Sequence, residues 1–577
     1  MEKVELKGDG RASAGEAELQ SSPSASHRRV RGDLSRRELL ASFLGVAVAE
    51  AACLRSHRTR EPMPGAIVDR AFETGHLLRQ GPLQLASEGQ KVDVLIVGGG
   101  ASGLSAGWRL AGAGLDDFLV CELDDDLGGT ARSGRNSVTS FPWGAHYIPA
   151  PLRSQGPVPR LLSEMGVLDG TDDAGRPRYA EQVLVAEPEE RVFYKGSWYE
   201  GLYLRVGATP QDLAELARFE RAMEEFAAAR DGRGRKAFDV PSARCSEDSE
   251  WTALDRISIA EWLNRERYRS PRLRWLVEYA CRDDHGCNAD QLSAWAAVWY
   301  FAARQEGDGR RNEGYLSWPE GNGKLIQQMA KAVGSHRIAK SFLVHTIEPR
   351  ADSCIVHAFD AIAGAPRCFA ARQVIFAGPR FVGGRVIAPW RESPPAFLSE
   401  FQYGPWVVAN LTLRQPPRSR GFPLAWDNVL YESHSLGYVV ATHQAAKASP
   451  QGPTVWTWYY PLTGADVRAE RTRALSATYS DWEELVMSDL MPAHQGLEAL
   501  AERLEVMRFG HAMIQPRPGF IWGKARRDAQ QSLGRNLHFA HTDLGGMALF
   551  EEANWFGVRA AERALAQLGY LSPSWLA

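Results

Sequence analysis

"KVDVLIVGGGASGLSAGWRL", residues 91–110, decides how the rest of the chain is read. Val92 to Val97 is an unbroken aliphatic and β-branched run, the pattern of a strand buried on both faces of a parallel sheet. Gly98, Gly100 and Gly103 follow in the spacing GxGxxG, after which Leu104, Trp108 and Leu110 recur at helical intervals. Each glycine has its own task in such a strand–turn–helix unit. Gly98 permits the tight turn, Gly100 lets the backbone approach a pyrophosphate, and Gly103 lets helix and strand pack closely. Phosphates are favoured at the start of this helix, where the N–H groups of Ala101 and Ser102 have no partner within the helix and the dipole is positive.

Working outward, a second apolar strand, Phe118 to Cys121, ends in Glu122, which stands where a carboxylate accepts hydrogen bonds from ribose hydroxyls. "LDDDLGGTARSG", residues 123–134, then adds a second glycine turn at Gly128 and Gly129. Near the far end, "NLHFAHTDLGGMALFEEANWFGVRAAERAL", residues 536–565, gives a strand from Leu537 to Ala540, an acid at Asp543 and a helix from Ala553 to Leu565.

These segments resemble those of the flavin amine oxidase superfamily, which also contains phytoene desaturases and protoporphyrinogen oxidases. The resemblance implies FAD. It implies that Glu122 binds the ribose, that Asp543 reaches the ribityl-phosphate region, and that the helix dipole at Ala553 points to the flavin pyrimidine carbonyls. Arginine often follows the glycine pair in the family; this chain has Thr130 there, and Arg132 two residues later is the position carried over. By the same resemblance, a β-meander at residues 341–379 is expected to supply Val344 near the adenine. "FPWGAHYIPAP", residues 141–151, is expected from the resemblance to bring Gly144, Ala145 and His146 to the reactive face of the flavin. His146, and His511 in "RFGHAMIQPRPG", are the candidate catalytic residues, each a proton acceptor or hydrogen-bonding group near flavin N5 or the substrate, with a structural histidine as the alternative.

The implied fold is α/β: a Rossmann-like FAD-binding domain, with a parallel sheet and a β-meander, interleaved with a mixed α+β substrate domain. Its FAD-binding parts are placed at 91–150, 318–390 and 511–577, and its substrate parts at 151–317 and 391–510. Residues 54–90 read as a linker. Within the substrate parts, Thr209 to Ala229 has helical spacing, Ser258 and Glu261 form a capping box, and "PTVWTWYYPLTG" is strand-like.

Two family features are absent. The lysine that several amine oxidases place on the strand matched to "WVVANLTLRQPP" is missing, and Leu549 stands where some relatives have an aromatic cage residue. The residues therefore allow a hydride-abstracting oxidoreductase with oxygen or another acceptor, a desaturase or isomerase of an apolar substrate, or a flavin-binding partner protein without activity.

The chain has 577 residues, 44% of them hydrophobic, with a net charge of −3, which gives no electrostatic reason to expect nucleic acid as a partner. "LSRRELLASFLGVAVAEAAC", residues 34–53, joins an arginine pair to a short apolar run, and residues 1–53 read as a disordered n-region and a twin-arginine signal peptide. That implies a folded, FAD-loaded protein handed to the twin-arginine export machinery and working in the periplasm or beyond, with no transmembrane span in the mature chain. Glu50 speaks against a lipid tether at Cys53. "CRDDHGC", residues 281–287, matches no usual zinc spacing, so no metal is expected; it leaves a disulfide or an ordinary helix-ending turn.

Overall fold

In the computed structural model, residues 62–576 are described, apart from 70, 82, 88, 174, 306–313 and 445–450. The export signal and Cys53 lie outside the described residues. No helix among those described is long and apolar enough to cross a membrane.

The run that opens the dinucleotide motif forms the strand Gln90–Val97, with Val94, Leu95 and Ile96 fully buried. It is the third strand of a seven-stranded sheet. Phe118–Cys121 pairs with it in parallel on one side and Ala365–Phe376 on the other. The length of Ala365–Phe376 explains how a meander and a parallel sheet share one strand. Its first half pairs antiparallel with Cys354–Asp360, and its last residues pair in parallel with Leu537–Phe539 on the same side. The helix Ala101–Gly112 leaves the glycine turn and packs on the helix Phe550–Leu568 beneath this sheet. The two helices come close because Gly557 has no side chain: a Cβ there would meet the carbonyl oxygen of Ser102 at 2.2 Å.

A second, eight-stranded sheet carries Tyr403–Leu413, Thr454–Pro461 and Ala501–Ile514 near one edge and Glu190–Tyr194 near the other. Beside it, the helices Pro210–Ala228, Ile259–Arg265, Pro271–His285 and Ala294–Ala302 pack around Trp295 and Trp299. Thr209 caps the first of these in a reciprocal capping box with Asp212, and Ser258 Oγ accepts from the Glu261 N–H. The closing helix begins at Phe550, one turn earlier than the expected Ala553.

Residues 62–80, inside the stretch read as a linker, are structural. Gly65–Ile67 adds an edge strand to Ala501–Ile514, and Phe72–His76 is a short helix whose neighbours reach the large cleft described below. Asp69 anchors this strap by a doubly buried ion pair, its side chain 7% exposed, to the Arg508 guanidinium at 3.0 Å, 9% exposed. Removing one partner leaves a buried charge. Asp69→Ala should therefore cost about 3 kcal/mol in urea unfolding and open residues 62–80 to limited proteolysis; unchanged stability would mean the pair does not hold the strap.

Candidate active site

A cleft of about 1080 Å³ follows the carboxyl ends of the parallel strands. Gly98 sits at φ +110°, a region that favours glycine, and its N–H donates to Cys121 O. A Cβ on Gly100 would meet nothing within 4 Å and would stand in the cleft, whereas one on Gly103 would meet Gly98 O at 1.8 Å. Gly98, Gly100, Ala101 and Ser102 line the cleft; Gly103 does not. Each Glu122 carboxylate oxygen accepts one backbone N–H, from Gly99 at 2.5 Å and from Asp124 at 2.8 Å. Burial nevertheless raises its pKa. Gly128, Gly129, Val344 and Ala553 also line the cleft. An elongated cavity with a bare glycine turn at a helix start and a fixed carboxylate beyond it fits FAD.

Two residues expected at the cofactor are turned elsewhere. Arg132 does not line the cleft: its Nη1 pairs with Asp124, and its Nη2 points to the Met507 sulfur at 2.9 Å. Thr130 takes its place on the wall. Asp543 is wholly buried, and its Oδ2 accepts from Tyr403 Oη at 2.6 Å and the Arg380 N–H at 2.8 Å. Its Oδ1 lies 2.8 Å from His541 Nδ1. Burial alone would raise the Asp543 carboxyl, but His541, Tyr403 and Arg380 outweigh it and hold it below the usual range. Asp543 thus braces the wall, while His541 and Thr542 form its surface.

A second chamber, of about 120 Å³, shares Thr130, Ala512 and Ala548 with the cleft. Gly144, Ala145, His146 and Leu549 line it. The backbone of "FPWGAHYIPAP" is held there because the Ala145 N–H donates to Thr130 O and Tyr459 Oη donates to Gly144 O. His146 lies 5.0 Å from the Tyr459 ring and 5.3 Å from Trp426. Burial lowers its pKa to about 3. His511 lines the large cleft instead, stacked on Phe381 at 4.1 Å. Burial, then Arg471 and Arg79, lower it also to about 3. Both rings are neutral at neutral pH, each with one N–H donor and one acceptor nitrogen, and so weak a base favours the hydrogen-bonding role over that of proton acceptor.

Sequence reasoning missed the chamber's acids. "CRDDHGC" ends the helix Pro271–His285 at Gly286, which has φ +57°. Cys281 and Cys287 are buried free thiols, and no metal-binding cluster occurs among the described residues. The turn places Asp284 against Arg304 at 2.6 Å and leaves Asp283 on the chamber wall. Burial, reinforced by Asp284, pushes Asp283 up to about 7. Glu551, 8% exposed, lines the same chamber. The motif stands out in the sequence, but its spacing does not tell that its acids face a chamber.

The model of the family "Flavin containing amine oxidoreductase" matches residues 101–505. Oxidoreductase PigB of Serratia sp. (strain ATCC 39006) is 23% identical, over 90% of this chain and 82% of its own length. Among solved structures, putrescine oxidase bound to putrescine aligns with a TM-score of 0.59 at 16% identity, over 83% of this chain and all of its own. Cyclohexylamine oxidase from Brevibacterium oxydans aligns with a TM-score of 0.59 at 17% identity, over 83% of this chain and 99% of its own. The FAD-shaped cleft and a family match over most of the sequence agree: the chain belongs to the flavin-containing amine oxidoreductase family and is an FAD-dependent oxidoreductase.

Proposed function

We propose that the protein oxidises a carbon–hydrogen bond next to the nitrogen of a small organic amine, with oxygen as the terminal acceptor. The observation that carries this reading is Asp283, a carboxylate on the wall of the chamber beside the flavin cleft, whose neighbour Arg304 is already paired to Asp284. Bound FAD supplies the two-electron acceptor. An amine arrives as an ammonium, which has no lone pair to release into a C=N bond. Asp283, with a pKa near 7, takes that proton; the carbon then gives up a hydride, and the nitrogen lone pair closes the double bond. Neutral His146 and the ring of Tyr459 shape the chamber without competing for the proton. Amines as substrates of two solved relatives of this fold support the reading. An apolar polyene would leave Asp283 and Glu551 desolvated without partners, which weighs against a desaturase.

The test is anaerobic mixing of the FAD-loaded protein with a panel of primary and secondary amines, polyenes and tetrapyrroles. Amines should bleach the visible flavin absorbance, with hydrogen peroxide released on readmitting air. Bleaching by a polyene or tetrapyrrole alone would overturn the proposal.

A further inference from the structure

The glycine turns offer backbone N–H groups to a diphosphate but bring no cation to it. Thr130 stands where an arginine would follow the glycine pair, and Arg132 is turned to Asp124 and Met507. Among the described residues that line the cleft, the guanidinium groups are those of Arg79, Arg385, Arg468 and Arg471, and no lysine joins them. All four come from outside the glycine motifs. Arg79 ends the strap at residues 62–80, Arg385 lies on the helix Arg380–Val386, and the other two lie on the helix Val467–Ser476. None of the four is ion-paired to a described carboxylate. Arg79, Arg385 and Arg468 are exposed, while Arg471 is fixed by donating to Gly510 O at 2.6 Å and Tyr403 O at 3.2 Å.

The acids nearby are already engaged. Of the described lining residues, Glu122 accepts the Gly99 and Asp124 N–H groups, and Asp466 caps its own helix through the Arg468 and Ala469 N–H groups. Glu73, on the strap, acts on His76. The positive groups therefore act on one another: burial, then Arg468 and Arg79, lower the Arg471 pKa, and burial, then Arg79 and Arg385, lower that of His76. The strap that carries Arg79 also reaches the Glu122 end of the cleft, where a Cβ on Gly75 would meet Leu123 Cδ2 at 3.2 Å.

Arginines gathered without acids repel one another until an anion joins them, and a guanidinium fork matches a pair of phosphate oxygens. We infer that the FAD diphosphate is neutralised from across the cleft, by Arg79 of the strap together with Arg385, in place of an arginine after the glycine pair, so that the strap is a clasp on the cofactor. Arg468 and Arg471 extend the positive field. This goes beyond the amine reading and does not depend on it. Asp69 ties the strap to the sheet, and the cofactor then holds its other end.

The experiment titrates full-length apoprotein with FAD, followed by flavin fluorescence from low to high salt. The proteins are the wild type, Arg79→Gln, Arg385→Gln and a charge control, Arg414→Gln, whose side chain is 67% exposed and pairs with Glu502. Arg79→Gln and Arg385→Gln should each weaken FAD about tenfold, less than a buried charge-assisted contact because both side chains are exposed. Each should also flatten the salt dependence of binding and leave the melting curve of the apoprotein unchanged. Arg414→Gln should alter none of these. Unchanged FAD affinity in Arg79→Gln, or a loss that keeps the wild-type salt dependence, overturns the inference. A free phosphate compound is the rival source of the same chemistry, and inorganic pyrophosphate added to the FAD-loaded enzyme separates the two. No binding supports the clasp, whereas binding that Arg79→Gln abolishes gives the arginines to a second anion and overturns it. An unchanged circular dichroism spectrum identifies a folded variant; if Arg79→Gln does not fold, Arg385→Gln is judged by the same outcomes.

Discussion

Gly103→Ala should give a chain that no longer retains FAD. The added Cβ would lie 1.8 Å from Gly98 O, 3.0 Å from Gly98 C and 3.3 Å from Ala377 Cβ. None of these is the flexible end of a side chain. Gly98 is itself held at φ +110°, and its N–H is tied to Cys121 O. The helix Ala101–Gly112 must therefore move off the strand, and its first N–H groups leave the place where a pyrophosphate is bound. Overpacking of this kind costs about 3 kcal/mol, which, if felt wholly in binding, is a loss of about 100-fold in FAD affinity. Gly100→Ala is the control. Its φ of −74° suits any residue, and its Cβ would meet no protein atom within 4 Å. That variant should keep the thermal stability of the apoprotein yet bind FAD at least about tenfold more weakly, since the methyl group occupies ligand space. Fluorescence titration of FAD with both apoproteins, beside their melting curves, checks the pair. Wild-type affinity in Gly100→Ala would remove the pyrophosphate from that position.

The contrast between these glycines marks what a sequence can reveal. The run from Val92 to Val97, the glycine turn and the following helix are local, so spacing alone assigns them and even separates the tasks of Gly100 and Gly103. Orientation is not local. Asp543 stands in a recognisable motif, but its carboxylate faces Tyr403 and Arg380, which are distant in sequence, and no periodicity reports that. Arg132 is drawn from the cleft by Asp124 and by the distant Met507 sulfur, and spacing does not report which way its side chain turns. Asp283 and Asp284 are adjacent on a helix and so point about 100° apart; only the approach of Arg304 decides which of them is neutralised. The strap fails differently: Gly65–Ile67 has three residues, too few for a pattern, and it exists because Ala501–Ile514 offers it an edge.

Asp283→Asn should lower kcat/KM for amines by about 100-fold, the low end for loss of a proton acceptor, and should also change the shape of the pH profile. In the wild type, Asp283 is protonated below about pH 7 and can neither pair with an ammonium nor take its proton. Activity should therefore rise with pH through about 7, and the amide should abolish that limb. Stability should move the other way. A carboxyl whose folded pKa exceeds its unfolded value favours the folded state at low pH, and this contribution is lost as pH rises from about 4 to about 7. Asparagine never ionises. At pH 8 the variant should be the more stable protein, by on the order of 2 kcal/mol once the water of an open chamber is allowed for. Urea unfolding at pH 5 and pH 8, with the pH dependence of kcat/KM, tests both halves. If the variant loses activity and stability together at every pH, Asp283 is a packing residue and another group takes the proton. If activity falls while stability above pH 7 rises, the chamber holds a carboxylate at a cost in stability, as a site built to meet an arriving cation would.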